Sequence, residues 1–361
     1  MSDRVFVHIG APKTGTTYLQ QVLKRNRKAM KQAGVLYPRI AGEAHHTVMW
    51  DLRRSWEHRE FGQDIRGHWD DAVRRAAAWN GHSTVFSSEL FVYADKATAA
   101  RALSSFGDAE MHVIYTARDL VRQAPAVWQE RIKNQHSLSY DRFLNDMMGR
   151  SKTTMAQGFW SAQDAPAALK RWSKGVDPAH IHVVTAPPPG SAPDVLWRRF
   201  ASVLGLDGAD YPTDVPAANT SMSVTSAELL RRFNVRHGKD LPHMRYRKIV
   251  RGGLFEVLDR VIDDTSKLAL TADQRDFLVK KDQQIVKAIE KAGYDVVGDT
   301  ADLIPAAGAR QNGVPASEAR PTDITEDQVV DGLLDVVLDL LKTKKRMSGV
   351  SDDELSEPDE G

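Results

Sequence analysis

The feature that most constrains this chain is the run Arg4–Gln20, which changes from a strand pattern to a helix pattern within a few residues. Residues 5–9 are mostly apolar, β-branched or aromatic, which is typical of a short buried strand. From Thr16 onward the apolar residues recur at helical spacing. Gly10 and Gly15 lie between the two patterns, so the sequence predicts a strand, a glycine-containing loop and a helix N-terminus.

Such a junction is suited to bind an anion. The N–H groups of a first helical turn have no intrahelical acceptor, and the helix dipole adds positive potential at the same place. Lys13 adds a full positive charge, and three hydroxyl groups add donors, those of Thr14, Thr16 and Thr17. The sequence therefore predicts a site for a phosphate or a similar oxyanion; the structural alternative is an ordinary strand-to-helix turn with a surface lysine.

The loop departs from the form that binds nucleoside triphosphates, which reads G-x-x-x-x-G-K-[ST]. Gly10 and Gly15 keep the spacing, but Thr16 stands where that lysine would be, and Lys13 lies two positions before the second glycine. The displaced lysine argues against a kinase-like enzyme, and so does the lack of a clear strand-borne aspartate for magnesium.

The loop resembles the 5′-phosphosulfate loop of the sulfotransferases in the run Pro12-Lys13-Thr14-Gly15-Thr16-Thr17. The resemblance implies that these residues bind 3′-phosphoadenosine 5′-phosphosulfate and that Lys13 also acts in catalysis. It implies a P-loop NTPase-like sulfotransferase fold, and transfer of a sulfuryl group to a hydroxyl or amine acceptor without a metal. No metal-ligand cluster is evident in the sequence.

A second segment supports the resemblance. Residues 111–116 predict a strand, and Arg118 follows it, where the sulfotransferases place an arginine that binds the 3′-phosphate. A guanidinium suits phosphate geometry, although a salt bridge at the strand end is the structural alternative. The family's serine eight positions later is Ala126 here. This departure removes one hydroxyl and motivates the alternative of a non-catalytic nucleotide-binding or assembly protein with the same fold.

Transfer to an acceptor also requires a base, which in the family is often a histidine or glutamate beside the phosphosulfate. Glu89, at the end of the strand predicted over 83–88, is one candidate, and His46 of the pair His45-His46 is the other. The structural alternatives are helix-start capping for Glu89 and surface exposure for the histidines. The sequence leaves both candidates open.

The order of elements predicts the fold class. Strands are predicted over 5–9, 83–88, 111–116 and 180–185, with helices between them. This alternation predicts a three-layer α/β protein whose parallel sheet has helices on both faces. No strand is predicted after Leu206, so the C-terminal part is expected to be helical.

The predicted domain is 1–300, with a sheet core over about 4–205 and a helical layer over about 220–295. A linker is expected at 301–324, an amphipathic helix at 325–346 and an acidic tail at 347–361. Two capping boxes begin helices in these regions, Thr271 with Gln274 and Thr325 with Gln328.

Composition limits the partners. The chain has 361 residues, a net charge of +1 and no cysteine, which excludes disulfides and thiolate sites and gives no global attraction to nucleic acid. It contains no signal-like N-terminus and no apolar run of about 18 residues, so no transmembrane segment and a cytoplasmic location are expected. A small-molecule, glycan or lipid acceptor is expected, with four tryptophans as candidate pocket residues: Trp50, Trp56, Trp128 and Trp160. The C-terminal helix is a possible homo-oligomer contact.

Overall fold

A computed structural model of the chain describes residues 2–40, 45–54, 64–149, 153–216, 221–250, 254, 257–258, 261–305 and 318–336. The chain divides into two compact units. The first consists of Met1–Val127, Asp141–Thr220 and Thr271–Gly313, and the second of Trp128–Tyr140, Ser221–Leu270 and Val314–Gly361. The predicted domain bounds at 300, 324 and 346 stay predictions, and the acidic tail lies outside the described residues.

The strands are β1 (Arg4–His8), β2 (Val35–Leu36), β3 (Ser83–Ser87), β4 (Glu110–Ala117), β5 (Ile181–Thr185), β6 (Lys267–Leu268), β7 (Asp295–Val297) and β8 (Glu318–Ala319). Six of them form one parallel sheet in the first unit, in the order β2-β3-β1-β4-β5-β7. β6 and β8 form a separate parallel pair in the second unit.

The described helices are α1 (Thr16–Arg25), α2 (Arg27–Gln32), α3 (His46–Leu52), α4 (His68–Ala77), α5 (Lys96–Ser104), α6 (Leu120–Lys133), α7 (Tyr140–Met148), α8 (Thr154–Gln163), α9 (Ala165–Trp172), α10 (Val195–Val203), α11 (Val224–His237), α12 (His243–Ile249), α13 (Ala272–Ala292) and α14 (326–336). Short 3-10 helices cover Glu89–Tyr93, Pro178–His180, Gly208–Asp210, Thr300–Leu303 and Pro321–Asp323. The capping box predicted at Thr271 and Gln274 is confirmed, and Gly293 ends α13 in the left-handed region with φ 68°.

Successive strand residues point to opposite faces of the sheet, and each face buries its own layer of helices. Val5 and Val7 of β1 belong to the cluster formed with α3, α4, α5, α8, α9 and α13. Phe6, between them, belongs to the other cluster, with α1, α2 and α10. All three side chains are at most 1% exposed. The predicted three-layer α/β architecture with helices on both faces of a parallel sheet is confirmed.

The prediction that no strand follows Leu206 is wrong. β7 extends the sheet by pairing with β5, Val296 standing opposite Val183, and β6 and β8 add the small pair. The sequence signal for β7 is weak because this strand has three residues and begins only two positions after Gly293, the glycine that ends α13. The helix α8 was not predicted either, since its first turns lack a strongly polar face.

In the second unit, α14 packs along only part of its surface. Val329 and Val336 are buried, and Gly332 approaches Ile262, which fits a helix docked on its own unit. The Thr325–Gln328 box is present, with Gln328 N donating to Thr325 Oγ1 at 3.2 Å. Three apolar residues of the predicted amphipathic helix are exposed instead, Val330, Leu333 and Leu334. The part of that predicted helix after residue 336 lies outside the described residues.

Within the ranges the structure describes, we find no helix with the length and apolar character needed to cross a bilayer.

Candidate anion-binding site

The loop between β1 and α1 depends on backbone conformations that favour glycine. Gly10 has φ 108°, Lys13 φ 68° and Gly15 φ 95°. Gly15 is the N-cap of α1, and a Cβ there would lie 2.4 Å from Leu196 Cδ2. The second glycine is therefore required both by its positive φ and by the close approach of α10.

The N-terminus of α1 faces the loop without a carboxylate in its first turn. The first intrahelical bond runs from Leu19 N to Gly15 O at 3.0 Å, so the N–H groups before Leu19 point out of the helix end. Lys24 and Arg25 lie in the last turn, where positive charge complements the dipole. The charge pattern of α1 thus favours an anion at its start.

The loop is held to the sheet by its neighbour β4. Ala11 N donates to Thr116 O at 3.0 Å, and Thr116 N donates to Gly10 O at 2.6 Å. The Thr14 hydroxyl is buried and donates to Ala11 O at 2.6 Å. Its proton is therefore used inside the loop, and Thr14 contributes to an anion site through the loop conformation. Thr16 is buried, whereas Pro12, Lys13 and Thr17 are partly exposed.

Arg118 lies beside this loop although it is far away in the sequence. Its Nη1 donates to the backbone oxygen of Lys13 at 3.1 Å. Burial, together with the neighbouring charge of Arg122, lowers the pKa of Arg118 to about 10, which still leaves it cationic at neutral pH. The adjacent carboxylate, Asp119, is paired with Arg122. The structure thus brings together the two segments that the sequence singled out.

Two glutamines also support the loop. Gln123 Nε2 donates to Pro12 O at 2.9 Å and to Gln163 Oε1 at 2.8 Å, and both side chains are buried. Gln123 Oε1 has no hydrogen-bond partner among the described residues. No local pattern predicts this supporting role, because both side chains donate to Pro12 O, more than a hundred positions earlier in the chain.

His8, the last residue of β1, forms a polar layer under the loop. Its Nδ1 lies 2.8 Å from Ser87 Oγ and its Nε2 3.3 Å from Thr116 Oγ1. Burial lowers the pKa of His8 to about 3, so the ring is neutral and supplies no charge. His8 is a supporting residue of the loop.

Of the two base candidates, Glu89 lies against the loop. A Cβ on Gly10 would be 3.2 Å from Glu89 Cα. Gln20 Nε2 of α1 donates to Glu89 Oε2 at 2.9 Å, which fixes the carboxylate. The local cap is made by Ser88, whose Oγ accepts from Leu90 N, so Glu89 is not needed as the cap.

The two histidines differ in their surroundings. His45 is buried, accepts from Ser87 N at 3.1 Å and donates from Nε2 to Pro38 O at 2.9 Å, so both ring nitrogens are used structurally. Burial lowers the pKa of His45 to about 4. His46 is the exposed first residue of α3. Its assignment as a base stays a prediction.

A cavity of about 510 Å³ in the first unit contains one of the predicted pocket tryptophans. Trp160 lines it, with Lys281 Nζ 6.0 Å from the ring centroid. Gln163, which bonds to the loop-supporting Gln123, follows on the same helix, α8. Trp128 is buried in the second unit, and Trp56 lies outside the described residues.

Comparisons with known proteins add little. No protein-family model matches the sequence, and no curated protein is significantly similar to it. A crystal structure of a sulfotransferase from Alicyclobacillus acidocaldarius aligns with 84% of this chain and 98% of its own, at 14% identity and a TM-score of 0.47. A similarity this distant identifies neither family nor function.

Proposed function

We propose that the protein is a sulfotransferase that moves a sulfuryl group from 3′-phosphoadenosine 5′-phosphosulfate to a hydroxyl or amine acceptor. The observation that carries the proposal is the bond from Arg118 to the Lys13 carbonyl, because it adds a second cation to a loop whose sequence resembles the phosphosulfate loop. The backbone at Gly15 and the N-terminus of α1 complete a donor set suited to an anion.

The chemistry of the donor set fits the nucleotide. Lys13 and the backbone amides of residues 15–17 would hold its 5′-phosphosulfate, and Arg118 its 3′-phosphate; Pro12 and Thr14 would shape the loop. The nucleotide supplies the activated sulfuryl group. Negative charge grows on the bridging and phosphate oxygens during transfer, and a fixed ammonium with preorganised N–H groups stabilises it. None of these roles requires a metal.

Glu89 is the base that the proposal favours. Its carboxylate is fixed by Gln20 and its backbone abuts Gly10, so it is held beside the loop where an acceptor proton would be released. The exposed His46 is retained as the other candidate. Small molecules, glycans and lipids remain the proposed acceptor classes, and the cavity lined by Trp160 is the proposed place to look for them.

A second candidate is a non-catalytic nucleotide-binding protein, which Ala126 favours because it removes the expected hydroxyl. The test has two stages. In thermal unfolding experiments, 3′-phosphoadenosine 5′-phosphate should raise the melting temperature more than ATP with magnesium does. A mass-spectrometric acceptor panel should then detect sulfated product that Lys13→Ala no longer forms. A shift with ATP and magnesium alone would favour a kinase-like enzyme, and nucleotide binding without product across the panel would favour the second candidate.

A further inference from the structure

A chain of carboxylates and imidazoles lies at the amino ends of β4, β5 and β7. Glu110 Oε1 is 2.7 Å from His112 Nε2, and His112 Nδ1 is 2.8 Å from His182 Nε2. His182 Nδ1 is 2.6 Å from Asp295 Oδ2. Because the strands are parallel and the anion loop follows the carboxyl end of β1, this chain occupies the opposite edge of the sheet.

The hydrogen atoms in this chain do not balance. A neutral imidazole carries one N–H, so His112 and His182 supply two, whereas the chain has three contacts. Both ends are carboxylates, which accept and do not donate. If both N–H groups point toward Asp295, His112 Nε2 presents a lone pair to Glu110, and if both point toward Glu110, His182 Nδ1 presents a lone pair to Asp295. If each imidazole donates to its own carboxylate, two lone pairs face each other between His112 Nδ1 and His182 Nε2. One contact therefore needs an additional cation.

The Glu110 end has the features of a cation site. His180 Nε2 lies 3.9 Å from Glu110 Oε1, and the ligand atoms of Glu110, His112 and His180 all lie within 4.8 Å of one another. The side chains of Glu110 and His180 are 47% and 31% exposed, so an ion can enter and both can adjust. His112 is 8% exposed and fixed by His182 behind it.

We propose that Glu110, His112 and His180 form a binding site for a divalent transition metal, with Zn²⁺ as the ion that the ligand set fits best. Two imidazoles and one carboxylate are common zinc ligands and leave a fourth position for water. Tetrahedral bonds of 2.0–2.1 Å separate ligand atoms by about 3.3–3.4 Å. This value lies between the 2.7 Å from Glu110 Oε1 to His112 Nε2 and the 3.9 Å from Glu110 Oε1 to His180 Nε2. Binding needs a small movement of the two exposed side chains.

His182 and Asp295, which continue the hydrogen-bond chain, then support the metal ligand His112. With His112 Nδ1 donating to His182 and His182 Nδ1 donating to Asp295, His112 Nε2 is the unprotonated nitrogen and its lone pair is directed at the site. A carboxylate behind a ligating imidazole fixes its tautomer and orientation. The site joins β4 to the 3-10 helix that precedes β5, so the metal would stabilise this edge of the sheet.

No local sequence pattern indicates this site. Glu110 and His112 are two positions apart and therefore share one face of β4, but His180 comes 68 positions after His112 in the chain. Only the pairing of β4 with β5 brings it close. The expectation of a metal-free transfer reaction is unaffected, because the site lies at the other edge of the sheet.

The test is calorimetric titration of the chelator-treated full-length protein with ZnCl₂, together with absorption spectra after adding Co²⁺. One equivalent of Zn²⁺ should bind, Co²⁺ should give a tetrahedral d–d spectrum, and Zn²⁺ should raise the melting temperature. His180→Ala and Glu110→Gln should each weaken Zn²⁺ binding by at least about 10–100-fold, since that is the loss typical of removing only an outer-shell partner of a metal ligand. Neither variant removes a group from the His112–His182–Asp295 chain, so both should fold.

His237→Ala is the matched control, since His237 also lies beside a carboxylate, at 2.9 Å from Asp240, but is exposed and forms no three-ligand cluster with the residues that the structure describes. Its Zn²⁺ affinity should equal that of the wild type. Absence of Zn²⁺ binding, or equal binding by His180→Ala and the wild type, would overturn the proposal. Nitrogen NMR showing an imidazolium at His112 or His182 in Zn²⁺-treated protein would do so as well, because the additional cation would then be a proton.

Discussion

Arg118 donates a 3.1 Å hydrogen bond from Nη1 to the backbone oxygen of Lys13, across 105 positions of sequence. This bond joins the end of β4 to the loop after β1, the two neighbouring strands at the centre of the sheet. Ligands of open parallel α/β sheets bind outside the carboxyl ends of the strands, which is where this bond lies. The account of the site depends on this pairing.

Replacing Arg118 by lysine should weaken binding of 3′-phosphoadenosine 5′-phosphate. Lysine keeps the charge but loses the planar fork, and a lost charge-assisted hydrogen bond costs about 1.5–3 kcal/mol, or roughly 10–150-fold in affinity. Calorimetry measures the change. Arg198→Lys is the matched control, because Arg198 is exposed on α10 and paired with Asp194. Equal affinities for the Arg118→Lys variant and the wild type would show that Arg118 does not bind the nucleotide.

Gly15→Ala should destabilise the protein more than Gly67→Ala does. Both glycines are helix N-caps in the left-handed region, with φ 95° and 83°. An alanine Cβ at Gly15 would meet Leu196, whereas no described atom lies within 4 Å of one at Gly67. Gly67→Ala should therefore cost about 1 kcal/mol, and Gly15→Ala an additional 1–3 kcal/mol or so from overpacking. Urea unfolding measures both, and equal losses would show that α10 does not constrain the loop.

Asp282 should make the stability of the protein depend on pH. Its carboxyl is buried and accepts a hydrogen bond from Leu120 N at 3.1 Å. Burial raises the pKa of Asp282 from 3.8 to about 9. Between these values the folded state keeps a proton that the unfolded state has lost. The free energy of unfolding should therefore fall as pH rises from about 4 to about 9, by up to about 1.4 kcal/mol per pH unit.

Asp282→Asn should remove this part of the pH dependence, because asparagine has no proton to lose. Urea denaturation at several pH values would show the wild-type and variant curves diverging, with the variant gaining relative stability toward pH 9. Parallel curves across that range would show that Asp282 titrates normally.

Glu89→Gln should abolish most turnover while leaving nucleotide binding intact. The amide keeps the size of the side chain and an oxygen that accepts from Gln20 Nε2, but it cannot act as a base. Loss of a general base typically costs about 10²–10⁴-fold in rate. Steady-state assays with an acceptor identified by the panel should show this loss for Glu89→Gln and little change for His46→Ala. The reverse pattern would make His46 the base.

The central part of the fold is predictable because its signals are local. β1, the loop and α1 follow from one short run in which the apolar period changes, and α13 follows from Thr271, Gln274 and Gly293. Each signal acts through hydrogen bonds or φ values within a few residues. Lys13 and Arg118 were found by sequence, but their contact exists only in the folded chain.

The remaining features depend on tertiary contacts, and no local sequence pattern predicts them. β7 is a strand only because β5 offers an edge to pair with, and its three residues are too short for a period. Gln123 reaches Pro12 across the fold, and His45 reads in the sequence as a surface residue although its ring joins Pro38 to Ser87. Polar residues used for internal support cannot be distinguished by sequence from residues that face a ligand.

The most direct measurement is calorimetric titration of the wild type and of Lys13→Ala with 3′-phosphoadenosine 5′-phosphate. The account predicts one binding site in the wild type and an affinity at least about tenfold lower in the variant, since a charged donor to phosphate is lost. No binding by the wild type at millimolar nucleotide, or the same affinity in both proteins, would contradict it.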